Sequence, residues 1–319
     1  MNPLSDLVTW RSDAECAQLA ERFQSAHPFP HVSIDNFFSP TFVEWLIADF
    51  PKSGNVDYDR FCEGEGEGAG TRRNYANGTP DAFPPAFRQL DALSRDPDFL
   101  TYLSRITGIA ALEFDPDYFG AGLRESRNGA TLPPHLDFNY HPKTLTHRRL
   151  NFLLYLNPDW KAEWGGNLEV HLDPNVHRHR SLISSFVPIA NRVLIFETSE
   201  VSWHAFDRVN APDDLGRRAW SIYFYTRDRD GSDEIKRRNT EYVEPPLPER
   251  FQPGRVLDED DVAFLEEILH RRDLRIAMLY DMRRGFDDKY SRLWNEYEYY
   301  LEKYRQSQPS IDTPADPAP

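Results

Sequence analysis

The sequence predicts a mainly β chain of the α+β class, with an antiparallel sandwich or barrel at its centre and helices on either side. Three observations predict it. From about residue 112 to 226, short segments rich in aliphatic and aromatic residues are separated by turn signals at irregular intervals, with no helices alternating between them. The stretches before and after place apolar residues three or four apart, which is the helical period. Apolar residues make up 39% of the 319 residues and aromatics 13%, sufficient for a real core.

The elements follow in order. Residues 13–25 and 39–49 read as helices. In SPTFVEWLIADFP, Ser39 can cap, Pro40 fits the first turn, and Phe42, Trp45, Leu46 and Phe50 share a helical face. The alternating Glu and Gly of 62–74 cannot bury a face and read as a loop, either a lid or an idle excursion. Residues 86–107 read as one or two helices. The segments 148–157, 165–172, 192–198 and 217–226 read as strands, and many short strands of this kind suit a double-stranded jelly roll. Gly165-Gly166 is expected to serve a turn or bulge. Residues 231–256 carry charges and prolines and read as a linker. Residues 257–306 are helical, with Phe286, Tyr290, Leu293, Tyr297, Leu301 and Tyr304 forming a stripe that suits packing on the β domain or a homodimer contact. Residues 307–319 read as a disordered tail.

Composition excludes several functions. The net charge is −15, with 52 acidic against 37 basic residues, so general binding to nucleic acid is not expected. Two cysteines, Cys16 and Cys62, make neither a disulfide framework nor a thiolate metal site. No signal peptide and no membrane span is read, so the expected location is cytoplasmic.

The chemistry is carried by LPPHLDF. If 134–138 is extended, His135 and Asp137 project from one face and can reach a single ion. A third ligand must come from elsewhere. His204, between apolar strand segments, is the best placed of the remaining histidines. Two histidines and one carboxylate form a facial triad that suits Fe(II) with open positions, and zinc accepts the same set. The residues alone leave the metal open. Arg217 begins a strand in which Ala219, Ser221 and Tyr223 share its face, while Asn151, Leu153 and Tyr155 share a face of another. Arg217, Ser221 and Tyr155 could converge on a carboxylate. The basic residues Arg124, Arg127 and Lys143 read as solvated.

The ordered motifs PPHLDF, RRLNFLLYLNPDW, WGGNLEVH, RVLIFETSEVSWHAF and GRRAWSIYFYT resemble the Fe(II)/2-oxoglutarate-dependent dioxygenases, in particular the prolyl 4-hydroxylase-like branch. The resemblance spans roughly 28–226, making 1–230 the dioxygenase domain. It implies a double-stranded β-helix with His135, Asp137 and His204 as iron ligands. It implies that Arg217, Tyr155 and Ser221, with Asn151 on the face of Tyr155, bind 2-oxoglutarate. The implied reaction hydroxylates an unactivated C–H bond with O2 while 2-oxoglutarate becomes succinate and CO2. A need for ascorbate stays open. The implied substrate is a prolyl residue of a peptide, with a small molecule, sugar or natural-product intermediate as the alternative. A zinc hydrolase or a non-catalytic binding module are the rivals of another class. No counterpart of the family's second co-substrate tyrosine stands upstream of His135.

Overall fold

The computed structural model describes residues 4–51, 72–74, 83–230, 235–244, 246–248 and 250–307. Cys62, the loop 62–71 and the tail from 308 lie outside them. Two compact units are present, Met1–Phe251 and Gln252–Pro319.

The first unit is built on two antiparallel sheets. Its strands are β1 (His31–Ile34), β2 (Arg72–Asn74), β3 (Glu113–Phe114), β4 (Gly122–Ser126), β5 (Leu132–Leu136), β6 (His147–Tyr155), β7 (Leu168–His171), β8 (Leu182–Phe186), β9 (Val193–Glu197), β10 (His204–Phe206), β11 (Arg217–Thr226) and β12 (Glu241–Tyr242). The larger sheet runs β1-β9-β6-β11-β4-β2, with β3 also on β11. The smaller runs β12-β5-β10-β7-β8. From β4 to β12 each strand passes to the other sheet, except that β7 and β8 pair side by side in the smaller one, so most neighbours within a sheet are distant in sequence. This is the double-stranded β-helix that the sequence predicts. His204 is the first residue of its own short strand rather than part of a connection. The stretch 231–256, read above as a linker, instead supplies β12, which pairs Glu241 with Leu136 and Tyr242 with His135.

The larger sheet is covered on its outer face by helices, which explains its continuous apolar runs. In β11 the even positions Trp220, Ile222 and Phe224 face outward and are buried. Helix α1 spans Asp13–Ser25, α2 Pro40–Ala48, α3 Pro85–Ser94 and α4 Pro97–Thr107. Ser12 opens α1 with a capping box completed by Glu15, and Asp96 caps α4 through the amides of Asp98 and Phe99. Phe87 of α3 stacks on Trp220 at 5.6 Å between centroids, and Phe99 of α4 meets Phe152 of β6 edge-on at 6.1 Å. The helices thus hold the outer face, and the odd positions of β11 are left for the space between the sheets.

The second unit consists mainly of one long helix, α5 (Glu259–Ser307). Among the described residues no helix is long and apolar enough to cross a membrane.

Candidate active site

The interior between the sheets holds a cavity of about 230 Å³. Its walls carry His135 and Asp137 at the end of β5, His204 of β10, Asn151 and Leu153 of β6, and Arg217, Ser221 and Tyr223 of β11. Strand pairing sets this convergence: β10 lies beside β5 with His204 opposite His135.

The imidazoles of His135 and His204 stand 4.1 Å apart between centroids. Asp137 Oδ1 is 3.7 Å from His135 Nε2, and Asp137 Oδ2 is 3.5 Å from His204 Nε2. One ligand atom from each residue lies within 4.8 Å of the others. Both histidines are oriented alike. His135 Nδ1 is 3.0 Å from the Pro133 carbonyl and His204 Nδ1 is 2.9 Å from the Ser202 carbonyl. A carbonyl only accepts, so each Nδ1 carries the proton and each Nε2 turns a lone pair toward Asp137. Two unprotonated nitrogens and a carboxylate facing one another suit a cation.

Asp137 is kept ionised. Burial pushes its pKa up, but the Arg148 guanidinium, with His204 and His135, outweighs burial and holds it at about 2. Arg148 Nη2 donates to Asp137 Oδ2 at 2.8 Å and also to Asn151 Oδ1. The guanidinium is fully buried, 4.4 Å from the centroid of Phe138 and 3.4 Å from that of Tyr223. Asn151 in turn donates to Thr198 Oγ1 at 3.0 Å. Asn151 therefore lies on the metal side of the cavity, behind Asp137, and not among the groups around Arg217.

Arg217 occupies the other end. Its Nη2 donates to Tyr155 Oη at 3.3 Å and its Nε to the Gly166 carbonyl. The side chain is buried, burial pulls its pKa down, and among the described residues no carboxylate lies within ion-pair distance of it. A buried guanidinium without a counter-charge is costly unless a ligand supplies the anion. Gly166 is explained here. Its φ is +69°, and a Cβ would meet Arg217 Cδ at 2.7 Å. Beyond serving a turn, this glycine lets the backbone approach the arginine. Ser221 lines the wall between Arg217 and the metal ligands.

Four residues without an assigned role in the sequence reading belong to the site. Arg148 follows His147 at the head of a strand and carries no local signal, because its partner lies eleven residues back. Arg124, read as solvated, lines the cavity from β4, where it pairs with Ala219 of β11. Thr240 and Tyr242 line it from the stretch read as a linker, and Tyr242 stacks on His135 at 5.3 Å. That stretch is fastened beside the ligands: Arg238 donates to the Asp137 carbonyl at 3.1 Å and to the Ser199 carbonyl at 2.7 Å. Arg127 and Lys143 stay outside the cavity, 3.5 Å from Glu125 and 3.0 Å from Asp117.

Comparison with known proteins agrees with this geometry. Residues 121–227 match the model of the 2OG-Fe(II) oxygenase superfamily. The chain is 30% identical over 152 residues to the Mus musculus prolyl 3-hydroxylase OGFOD1, covering 47% of this chain and 24% of that protein. It is 35% identical over 69 residues to the Xenopus laevis prolyl 3-hydroxylase OGFOD1, covering 22% and 14%. The chain thus spans at most about a quarter of the length of these curated relatives. A solved prolyl 4-hydroxylase from Phytophthora capsici superposes with a TM-score of 0.46 at 19% identity, covering 85% of this chain and 75% of that one. The match to the 2OG-Fe(II) oxygenase model therefore spans the segment that carries His135, Asp137, His204 and Arg217.

Proposed function

We propose that this protein is an Fe(II)- and 2-oxoglutarate-dependent dioxygenase that hydroxylates an unactivated C–H bond. One observation carries the reading: the His135, Asp137 and His204 cluster and a buried arginine with no carboxylate in ion-pair distance among the described residues face the same cavity. A hydrolytic zinc site would explain the cluster and leave Arg217 unexplained.

The residues fit the cofactor. His135, Asp137 and His204 would hold Fe(II) through Nε2, a carboxylate oxygen and Nε2, which leaves one side of the ion open. The iron, when bound, supplies the activation of O2 coupled to conversion of 2-oxoglutarate to succinate and CO2. The protein supplies position. Arg217 and Tyr155 bind the distal carboxylate of 2-oxoglutarate, the guanidinium by an ion pair and the hydroxyl as an O–H donor to the ionised oxygen. Arg148 fixes the carboxylate of Asp137, and the two backbone carbonyls fix the imidazole rings. Leu153, Leu168, Phe196 and Phe206 make the walls of the cavity partly apolar, Phe206 beside Arg217 and Phe196 beside His204.

The substrate proposed first is a prolyl residue in a peptide, in keeping with the names of the matched relatives; a small molecule is the alternative. Incubation with Fe(II), 2-oxoglutarate and proline-containing peptides should give succinate and a mass gain of one oxygen, with fragmentation assigning C3 or C4. Anaerobic addition of 2-oxoglutarate to the Fe(II) protein should give a weak visible charge-transfer band. Bound metal without that band would overturn the reading.

The partner proposed for α5 is a second copy of this chain. Ile276, Leu279, Tyr290, Leu293, Tyr297, Tyr300 and Tyr304 lie on a grid of alternating three- and four-residue spacings and are exposed, the pattern of a coiled-coil seam. Sedimentation should show a dimer that Leu293→Glu dissociates.

A further inference from the structure

We infer that Arg124 is the specificity-determining residue of this site and that the molecule to be oxidised carries an anionic group, a carboxylate or a phosphate, close to the reacting carbon. The inference rests on the dioxygenase reading above and extends it to the class of substrate.

The first observation is position. On the inner face of the larger sheet, Tyr155, Ala219 and Arg124 form one row across β6, β11 and β4, and Leu153, Ser221 and Gly122 form the next. The small residues Ala219, Ser221 and Gly122 leave a trough between the two arginines. Arg217 closes one end of it with Tyr155. Arg124 runs toward the other end, where its Nη2 donates to Tyr223 Oη at 3.1 Å and to the Gly120 carbonyl. Tyr223 in turn donates to the Gly120 carbonyl at 2.8 Å, so the guanidinium rests against a fixed edge.

The second observation is charge. The cavity is lined by two guanidiniums, Arg124 and Arg217, against one carboxylate, Asp137. Asp137 already accepts from a third guanidinium, that of Arg148. Among the described residues no carboxylate lies within ion-pair distance of Arg124, in a chain whose net charge is −15. Its Nε is buried, with no hydrogen-bond partner among the described residues. A chain with a large acidic excess has no shortage of counter-ions, so an arginine kept clear of them is kept clear for a ligand. The divalent metal and 2-oxoglutarate offset one another in charge, and the 2-oxoglutarate is accounted for by the metal and Arg217. Arg124 is left over. It keeps hydrogen-bonding capacity beyond the two contacts to protein, in the planar array that suits a carboxylate or phosphate.

The third observation is size. About 230 Å³ is small for a whole ligand site. Once 2-oxoglutarate is bound, only the reacting end of the second molecule enters. Arg124, at the end of the trough away from Arg217, is placed to hold that end by its charge.

The test uses the anaerobic Fe(II) protein as wild type, Arg124→Gln, Arg124→Lys and Arg217→Gln. The first reading is 2-oxoglutarate affinity. Arg217→Gln should weaken it about 100-fold, and Arg124→Gln should leave it within about threefold. The second reading, on protein saturated with 2-oxoglutarate, is calorimetric binding of matched pairs. N-acetylproline is set against N-acetylprolinamide, and proline peptides bearing a neighbouring glutamate or phosphoserine against the same peptides with glutamine or serine. In at least one pair the anionic member should bind about tenfold tighter, Arg124→Gln should erase the difference, and Arg124→Lys should retain part of it. The carboxylate and phosphate pairs tell the two anions apart. The inference is overturned if no pair prefers the anion, if a preference survives Arg124→Gln, or if Arg124→Gln is the variant that abolishes 2-oxoglutarate binding. Failure of 2-oxoglutarate to bind any form overturns the dioxygenase reading, and this inference with it.

Discussion

Among the described residues two clusters of histidine and aspartate lie close together, and their hydrogen bonds suit only one of them to a metal. His135, Asp137 and His204 form the first; Asp115, Asp117 and His141 form the second, with ligand atoms as close together as in the first. Distance does not separate them. Hydrogen bonding does. In the first, both Nδ1 atoms donate to carbonyls, so neither Nε2 atom carries a proton. In the second, His141 Nδ1 accepts from the amides of Lys143 at 3.3 Å and Thr144 at 3.1 Å. The proton therefore sits on Nε2, which faces Asp115 Oδ1 at 3.3 Å. Binding a metal there would require an imidazole that has lost both protons. Asp115 is also engaged, accepting from the amides of Asp117 and Phe119 at 2.8 Å each. The second cluster organises a turn. The tautomer imposed by the backbone is what distinguishes a site from a knot of polar groups.

The largest effect should separate the two carboxylates. Asp137→Ala should weaken divalent-metal binding by more than about 100-fold, beyond what loss of an outer-sphere partner costs. Asp115→Ala should leave metal affinity within about threefold and cost about 1–3 kcal/mol of stability, because two amides lose their acceptor. Metal titration and urea unfolding of both variants measure this. Loss of one bound ion on Asp115→Ala would break the comparison.

A smaller effect should come from behind the first cluster. Arg148→Met keeps the bulk between Phe138 and Tyr223 and removes the cation that orients Asp137. Metal affinity should fall about 10–100-fold with the three ligands intact. Unchanged affinity would mean that the two histidines alone set the carboxylate.

Smaller again is the effect of the second histidine environment. His141→Asn can place an oxygen near the old Nδ1 and keep the amides of Lys143 and Thr144 satisfied, whereas His141→Leu cannot. The leucine variant should be less stable than the asparagine variant by about 1 kcal/mol, read from unfolding midpoints. Equal stabilities would remove the turn-organising role given to this ring.

Much of this was legible in the sequence. The strands of the barrel, the helices over it and the pair His135 and Asp137 follow from local patterns whose periods are set by backbone geometry. Arg217 and Tyr155 followed from resemblance and from alternation along two strands. What stayed hidden depends on contacts between segments far apart. Arg148 meets Asp137 only because β6 and β5 lie in facing sheets, and Arg124 faces the cavity because β4 pairs with β11 in one register and not the next. Tyr242 was hidden differently. Two residues of strand inside a charged, proline-rich stretch give no periodic signal, and β12 exists because β5 offers it an edge.

His31 shows how little a histidine reveals by itself, and it gives the smallest of the effects. It sits in a strand, and its Nδ1 lies 2.9 Å from the carbonyl two residues before it, the same local arrangement as in His135 and His204. Yet its ring is set against Phe29 and Phe186 at 5.6 and 5.7 Å, with no carboxylate within ion-pair distance among the described residues. Burial lowers its pKa from 6.5, and the hydrogen bond to Phe29 offsets this only in part. The unfolded chain therefore binds a proton at this residue more readily than the folded one. Stability is present above about pH 6.5 and is lost as pH falls toward the depressed folded value. His147, whose pKa burial also lowers, adds to the same slope. In chelator-treated protein, unfolding midpoints at pH 7.5 and 5.5 should differ less for His31→Phe than for wild type. An undiminished difference would mean that His31 is accommodated as a cation in spite of its apolar surroundings.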